Sequence, residues 1–317
     1  MSSQLEANLS RSLSIRLNLQ ISLTALPIVE EWMDIHLTRW MESVPLPPEM
    51  PMGHLAHFSV TAGSDLSRVT WRAHGSPHGF VPKMVDYLGK CGVSKQDMGL
   101  MDSMGGDLEP ALVGSWVAVE DGAVRTGWQF CDDNPVAGLL SFFGDHQAKR
   151  DLSAWFEQAG IEHARRFAQS IGDEPLSVIE VPVPGVAIDD QLARVSEAFD
   201  RLLGAPVPEP VSEAMATAIA PGFTVAVTIR GGAVSQVAVI SPGLGNDVIA
   251  DMCTGAGIPF ADKITSLQGA LRADSADRVE YVQLSGDGDG SGDESTRRRV
   301  DVHLIPTDAD APAVPMN

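Results

Sequence analysis

Cationic side chains are scarce in this chain of 317 residues: 22 Lys and Arg stand against 42 Asp and Glu, a formal net charge of −20. A nucleic-acid or anionic-membrane partner needs a basic surface, so neither is expected. A phosphate ligand stays open, because a pocket needs only a few local cations. Cysteine is rare as well. Cys91, Cys131 and Cys253 lie far apart with no CxxC pair. They fit neither a disulfide framework nor a zinc site, and buried free thiols are the expectation. No stretch approaches the ~20 apolar residues of a membrane span. The opening "MSSQLEANLSRSLSIRLNLQ" lacks the basic head and unbroken apolar run of a secretory signal. A cytoplasmic monomer is expected.

What is present is an ordinary globular composition, 44% apolar and 20% charged, enough for a sizeable core. Five pairs of period-2 runs are candidate antiparallel hairpins. They are "AHFSVTAGSDLSRVTWRAHG", "LVGSWVAVEDGAVRTGWQF" turning at Asp121-Gly122, "LSVIEVPVPGVAID", "GFTVAVTIRGGAVSQVAVIS" turning at Gly231-Gly232, and "DRVEYVQLSGDGDGSGDESTRRRVDVHLIP". In the third, Pro182 and Pro184 must sit at bulges or strand ends. Helical patterns separate the pairs: "LPIVEEWMDIHLTRWM", "FVPKMVDYLGKCG", "SKQDMGLMDSMG", the long "HQAKRDLSAWFEQAGIEHARRFAQSIG", "DDQLARVSEAFDRLLG", "PVSEAMATAIA", "GNDVIADMCTGAG" and "FADKITSLQGALR". The chain thus cycles through two helices and a hairpin about five times. It reads as one domain over residues 27–308, with an extension at 1–26 and a tail at 309–317.

Ten antiparallel strands with helical crossovers predict an α/β fold, a ten-stranded β-barrel surrounded by a ring of α-helices in repeated ααββ units; closure removes exposed edges. The alternation fits. Val69, Trp71 and Ala73 oppose Arg68, Thr70, Arg72 and His74. Val124, Thr126, Trp128 and Phe130 oppose Arg125, Gly127 and Gln129. Phe223, Val225, Val227 and Ile229 oppose Thr224, Thr228 and Arg230, and Val300, Val302 and Leu304 oppose Arg299, Asp301 and His303. With helices outside, the polar faces point into the barrel. An open sheet with those residues in water satisfies the alternation equally well.

The stretches "PIVEEWMDIHL", "GSDLSRVTWRA", "EDGAVRTGWQF" and "VSEAMATAIAPGFTVAVTIRGGAVSQVAVIS", taken in order, resemble the ABBA-type aromatic prenyltransferases, or PT-barrel enzymes, of the soluble bacterial group that prenylates phenols and phenazines. The resemblance implies transfer of a dimethylallyl or geranyl group from its diphosphate to an aromatic acceptor in secondary metabolism. It places Arg72, or Arg68 one strand step away, at a strand arginine, Arg125 at a strand lysine and Arg299, or a neighbour in 297–299, near a last-strand lysine. All are candidate diphosphate ligands. His303 is the candidate base, and Thr70, Gln129, Thr228, Arg230 and Gln236 are candidate lumen residues.

The sequence departs from the family's pattern in having two tyrosines, Tyr87 and Tyr281, where relatives line the upper lumen with several, and in carrying Gln236 where an arginine is common. A relative that binds an aromatic metabolite without prenylating it is therefore the alternative reading. An open α+β scaffold for protein contacts is a third.

No metal is expected. Asp132-Asp133 and Asp189-Asp190 lack the rest of a DDxxD motif, and Thr70 stands where metal-dependent relatives carry a magnesium aspartate. Scored as a calcium loop from Asp287, residues 287–298 end on Arg298 where a bidentate glutamate is required. That segment reads as a hairpin tip.

Overall fold

The structure, a computed structural model, describes residues 55–62, 67–90, 92–120, 123–172, 174–217, 222–242, 244–259, 264–265, 278–285 and 298–304. The helix expected before the first hairpin and the tip of the fifth lie outside the described residues, as do Cys91 and most of "FADKITSLQGALR". Ten strands are described: β1 (Leu55–Thr61), β2 (Ser67–Gly75), β3 (Leu112–Glu120), β4 (Ala123–Pro135), β5 (His163–Ser170), β6 (Leu176–Pro182), β7 (Thr224–Arg230), β8 (Ala233–Pro242), β9 (Arg278–Leu284) and β10 (Arg298–Leu304). Each pairs antiparallel with its sequence neighbour, and β1 also pairs with β10, so the strand order is that of a closed barrel. The helices are α1 (Pro77–Lys90), α2 (Lys95–Leu108), α3 (Val136–Ser141), α4 (Gln147–Ala159), α5 (Ile188–Leu203), α6 (Glu209–Ala216) and α7 (Asn246–Gly255). No helix among the described residues is long and apolar enough to cross a membrane.

The helices form where apolar residues recur at three- and four-residue spacing. In α5, Leu192, Val195, Ala198, Phe199 and Leu202 are buried, with Asp189 and Asp190 in the first turn and Arg201 in the last, both favourable to the helix dipole. That buried stripe meets the outward face of the strands. Phe199 stacks on Tyr281 of β9 with ring centroids 5.9 Å apart, and Tyr281 Oη donates to Gln283 at 3.3 Å. On β4 and β5, Trp128 packs against Phe130 and Phe167 at 5.0 and 5.5 Å. Val225, Val227 and Ile229 of β7 are buried in the same layer. Turn chemistry sets the register. Gly231 and Gly232 both have positive φ, 57° and 82°, as a two-residue hairpin turn requires.

Two linked expectations are overturned. The segment 146–172 is not one helix, and the third hairpin is not 176–189. Helix α4 stops at Ala159, capped by Gly160 at φ 67°, and the chain then runs as strand β5. The partner of β6 is β5, with Arg166 opposite Glu180 and Phe167 opposite Ile179. "VPGVAID" leads into α5 instead, which relieves Pro184 of any place in a ladder. The two aspartate pairs also have structural roles. Asp132 and Asp133 form a bulge in β4 at positive φ, 59° and 55°, and Asp189-Asp190 opens α5.

Gly127 of β4 is the most crowded of the described glycines. A Cβ there would lie 2.1 Å from the Gln169 carbonyl oxygen and 2.5 Å from the ring of Trp116, its cross-strand partner. Gly127→Ala is expected to displace Trp116 and destabilise the fold by about 1–3 kcal/mol, read as a lower midpoint in denaturant unfolding.

Candidate functional site

The inward faces enclose a cavity of about 760 Å³. Seven arginines line it: Arg68 and Arg72 on β2, Arg125 on β4, Arg166 on β5, Arg230 on β7, Arg278 on β9 and Arg299 on β10. In a chain of net charge −20 this is a local reversal of sign. Among the polar groups, part of the inward face on β6 to β9 is apolar, where Val178, Ala226, Ala238, Ile240 and Val282 form a cluster of their own.

Two levels are distinguishable by register. Arg68, Arg125, Arg230 and Arg299 lie within two or three residues of the hairpin turns, and Arg125 and Arg230 are exposed, so this end is the mouth. Arg72, Arg166 and Arg278 come from farther along their strands. At the mouth, Asp301 is 1% exposed and holds Arg299 at 2.9 Å and Arg68 at 3.7 Å, while Thr61 donates to it at 2.6 Å. Arg299 also reaches Gln236 at 3.5 Å. Deeper, Glu180 accepts from Arg166 and, across the lumen, from Arg278 at 2.8 Å. Arg278 bridges onward to Glu280 at 2.7 Å. Glu280 lies 3.2 Å from His303 Nε2, and His303 Nδ1 is hydrogen-bonded to Ser59 at 2.8 Å.

This belt fixes its own protonation. Burial would push the Glu180 carboxyl up, but Arg166 and Arg278 pull it far below the ordinary range. Glu280 is likewise held well below it, against burial, by Arg278 and His303. Arg278 is raised in turn: burial opposes its charge, and the two glutamates outweigh burial. Arg72 is the exception. Burial, then the neighbouring Arg166 and Arg278, pull its guanidinium down to about 9. It makes no hydrogen bond or ion pair with any described residue, and its Nε is buried without a partner. A guanidinium remains charged at neutral pH, so Arg72 is a buried cation that feels Glu180 and Glu280 but has no direct ion pair among the described residues.

The residues singled out from sequence converge here. Arg68, Thr70, Arg72, Arg125, Thr228, Arg230, Gln236, Arg299 and His303 all line the one cavity. Gln129 does not line it; it is buried behind Arg166, which donates to it at 3.4 Å. Sequence reasoning missed Arg166, Glu180, Arg278, Glu280 and Ser59. The first was hidden by the false helix. Neither Tyr87 nor Tyr281 lines the cavity: Tyr87 is buried on α1 and Tyr281 packs outward against α5. Trp116 is the aromatic residue among those lining it. The three buried carboxylates, Glu180, Glu280 and Asp301, are each engaged by guanidinium groups. The described residues hold no cluster of three His, Cys, Asp or Glu placed for a metal. Of the thiols, Cys253 is buried and free, and Cys131 is half-buried and free.

Both belt carboxyls are held below their ordinary value, so an unfolded chain binds more protons than the folded one as pH falls through the range beneath it. Their stabilisation is therefore complete above about pH 5 and lost below it. Glu180→Gln, which strips Arg166 of its carboxylate and leaves Arg278 with Glu280 alone, is expected to cost about 3–5 kcal/mol at neutral pH. It should also flatten the fall in unfolding midpoint between about pH 5 and pH 3, measured by chemical denaturation across pH.

No profile of a known protein family matches the chain. It is similar to a PH domain-containing protein of Dictyostelium discoideum, 25% identical over 252 residues that make up 77% of this chain and 55% of that protein, so the chain spans about half the length of the curated relative it matches. Solved structures resemble it over more of its length. Prenyltransferase PriB, in a ternary complex with L-tryptophan and dimethylallyl thiolodiphosphate, matches with a TM-score of 0.56 at 12% identity over 94% of both chains. The 5-dimethylallyl tryptophan synthase from Streptomyces coelicolor, in complex with DMASPP and Trp, gives 0.53 at 10% identity over 98% of this chain and 96% of its own. AnaPT from Neosartorya fischeri gives 0.55 at 10% identity over 81% and 79%. At these identities the likeness is one of architecture: the chain has the fold of aromatic prenyltransferases.

Proposed function

We propose that this protein transfers a dimethylallyl or geranyl group from its diphosphate to an aromatic small molecule inside the lumen. The observation that carries the reading is the set of arginines at the mouth of a closed cavity in an otherwise acidic chain. Arg125 and Arg230, with Arg68 and Arg299 set against the single charge of Asp301, leave three uncompensated positive charges, which suits a diphosphate group. Cations so placed stabilise the leaving group as charge develops on it. The apolar cluster of Val178, Ala226 and Ala238 would receive the prenyl chain and keep water from the allylic cation.

In the reaction, the bond between the allylic carbon and the diphosphate oxygen breaks, and its electron pair leaves with the diphosphate. A ring carbon of the acceptor then bonds to the allylic carbon. The proton displaced from that ring carbon passes to His303, which lies beside the ionised Glu280 and is oriented by Ser59. No step needs a metal ion.

A second reading, binding of an aromatic metabolite without transfer, is favoured by one observation: neither tyrosine faces the cavity, so cation shielding falls to Trp116 and aliphatic walls. Incubation with dimethylallyl and geranyl diphosphate and a panel of phenols, indoles and phenazines separates the two. Prenylated product with release of diphosphate is expected, at a rate that EDTA changes by less than about twofold. Arg125→Ala should lower kcat/KM by about 10²-fold, and an unchanged value removes Arg125 from the site. Diphosphate binding without product would favour the second reading, and absence of both would end the first.

A further inference from the structure

We infer that the deep end of the lumen is a second anion site, built on Arg72 and Trp116, that holds the carboxylate of an acidic aromatic acceptor. That the ligand is an acceptor rests on the transferase reading; the site itself rests on geometry and charge.

Arg72 and Trp116 are direct cross-strand partners on β2 and β3, and both side chains line the cavity. Each carries a buried N–H without a partner, Nε of Arg72 and Nε1 of Trp116. Unpaired buried donors are uncommon, and two on facing residues point to a shared ligand. A carboxylate has two oxygens and accepts from both a guanidinium and an indole N–H. The indole also offers a flat face to an aromatic ring.

Charge separates this site from the mouth. Arg72, Arg166 and Arg278 face Glu180 and Glu280, which leaves one positive charge at this level. One charge matches a carboxylate and is too little for a diphosphate. Distance separates them as well: Arg72 lies four residues beyond Arg68 on the same strand, about 13 Å at strand spacing. A ligand anchored at Arg72 can therefore share the lumen with a diphosphate at the mouth. A neutral acceptor would leave the buried Arg72 charge uncompensated, so the site discriminates by charge as well as by shape.

Calorimetric titration of the full chain with 4-hydroxybenzoate and with its uncharged amide, 4-hydroxybenzamide, tests this. The acid is expected to bind about tenfold more tightly than the amide, and saturating inorganic diphosphate should change its Kd by less than about threefold. Arg72→Leu should erase the preference while leaving diphosphate affinity intact, and Arg125→Ala should do the converse. Trp116→Phe, which keeps the ring and loses the N–H, and Arg72→Lys, which keeps the charge and loses the planar fork, should each reduce the preference in a chain that still folds. Equal affinity for acid and amide overturns the inference and leaves the transferase reading standing. Competition between acid and diphosphate for one site also overturns it. Loss of diphosphate binding with the acid preference intact supports the deep site and removes the transferase reading.

Discussion

Seven guanidinium groups facing one another across a narrow lumen repel, and three buried carboxylates hold that repulsion in check. Coulomb forces fall off slowly where water is sparse, so a cluster of this kind cannot persist without internal counter-charge. Glu180 has the central place. It draws in Arg166 from the neighbouring strand and Arg278 from the far side of the lumen, so a single carboxylate ties β5, β6 and β9 to one another. Glu280 and Asp301 extend the same logic to His303 and to the two arginines at the opening.

The pairing is incomplete in a patterned way. Where an arginine meets a carboxylate, as Arg166 and Arg278 meet Glu180, the pair ties strands together. Where it does not, as at Arg72, Arg125 and Arg230, the cation has no carboxylate partner among the described residues, and at the buried Arg72 the scaffold holds it at a cost in stability. The acidic exterior reinforces the contrast. A chain of net charge −20 offers anions little purchase on its surface, and the arginine-lined cavity is a local reversal of that sign.

Much of this could be read before any coordinates. The alternation in β2, β4, β7 and β10 placed Arg68, Arg72, Arg125, Arg230, Arg299 and His303 on inward faces, because a strand with one face against helices and one toward a polar lumen shows a clear period of two. Strand β5 escaped because "HARRFAQS" follows an amphipathic helix with only Gly160 to mark the boundary, and two adjacent arginines blur its alternation. With β5 misread, β6 was given the wrong partner, and the pairing of Arg166 with Glu180 could not be seen. The remaining ion pairs were illegible for a different reason. Glu180 and Arg278 are 98 residues apart and Ser59 and His303 are 244 apart, so their meeting depends on strand order around the ring rather than on local pattern.

The strict alternation has a consequence for how such a chain can change. On these strands the parity of a position, odd or even, decides whether its side chain packs against the helices or faces the lumen. Substitutions at inward positions can therefore alter ligand choice while the outer packing stays as it is. A single-residue insertion within a strand would exchange the two roles from that point onward, unless a kink such as the one at Asp132-Asp133 absorbs it. Length variation is thus confined to the turns and crossovers, and novelty in ligand has to come by replacement.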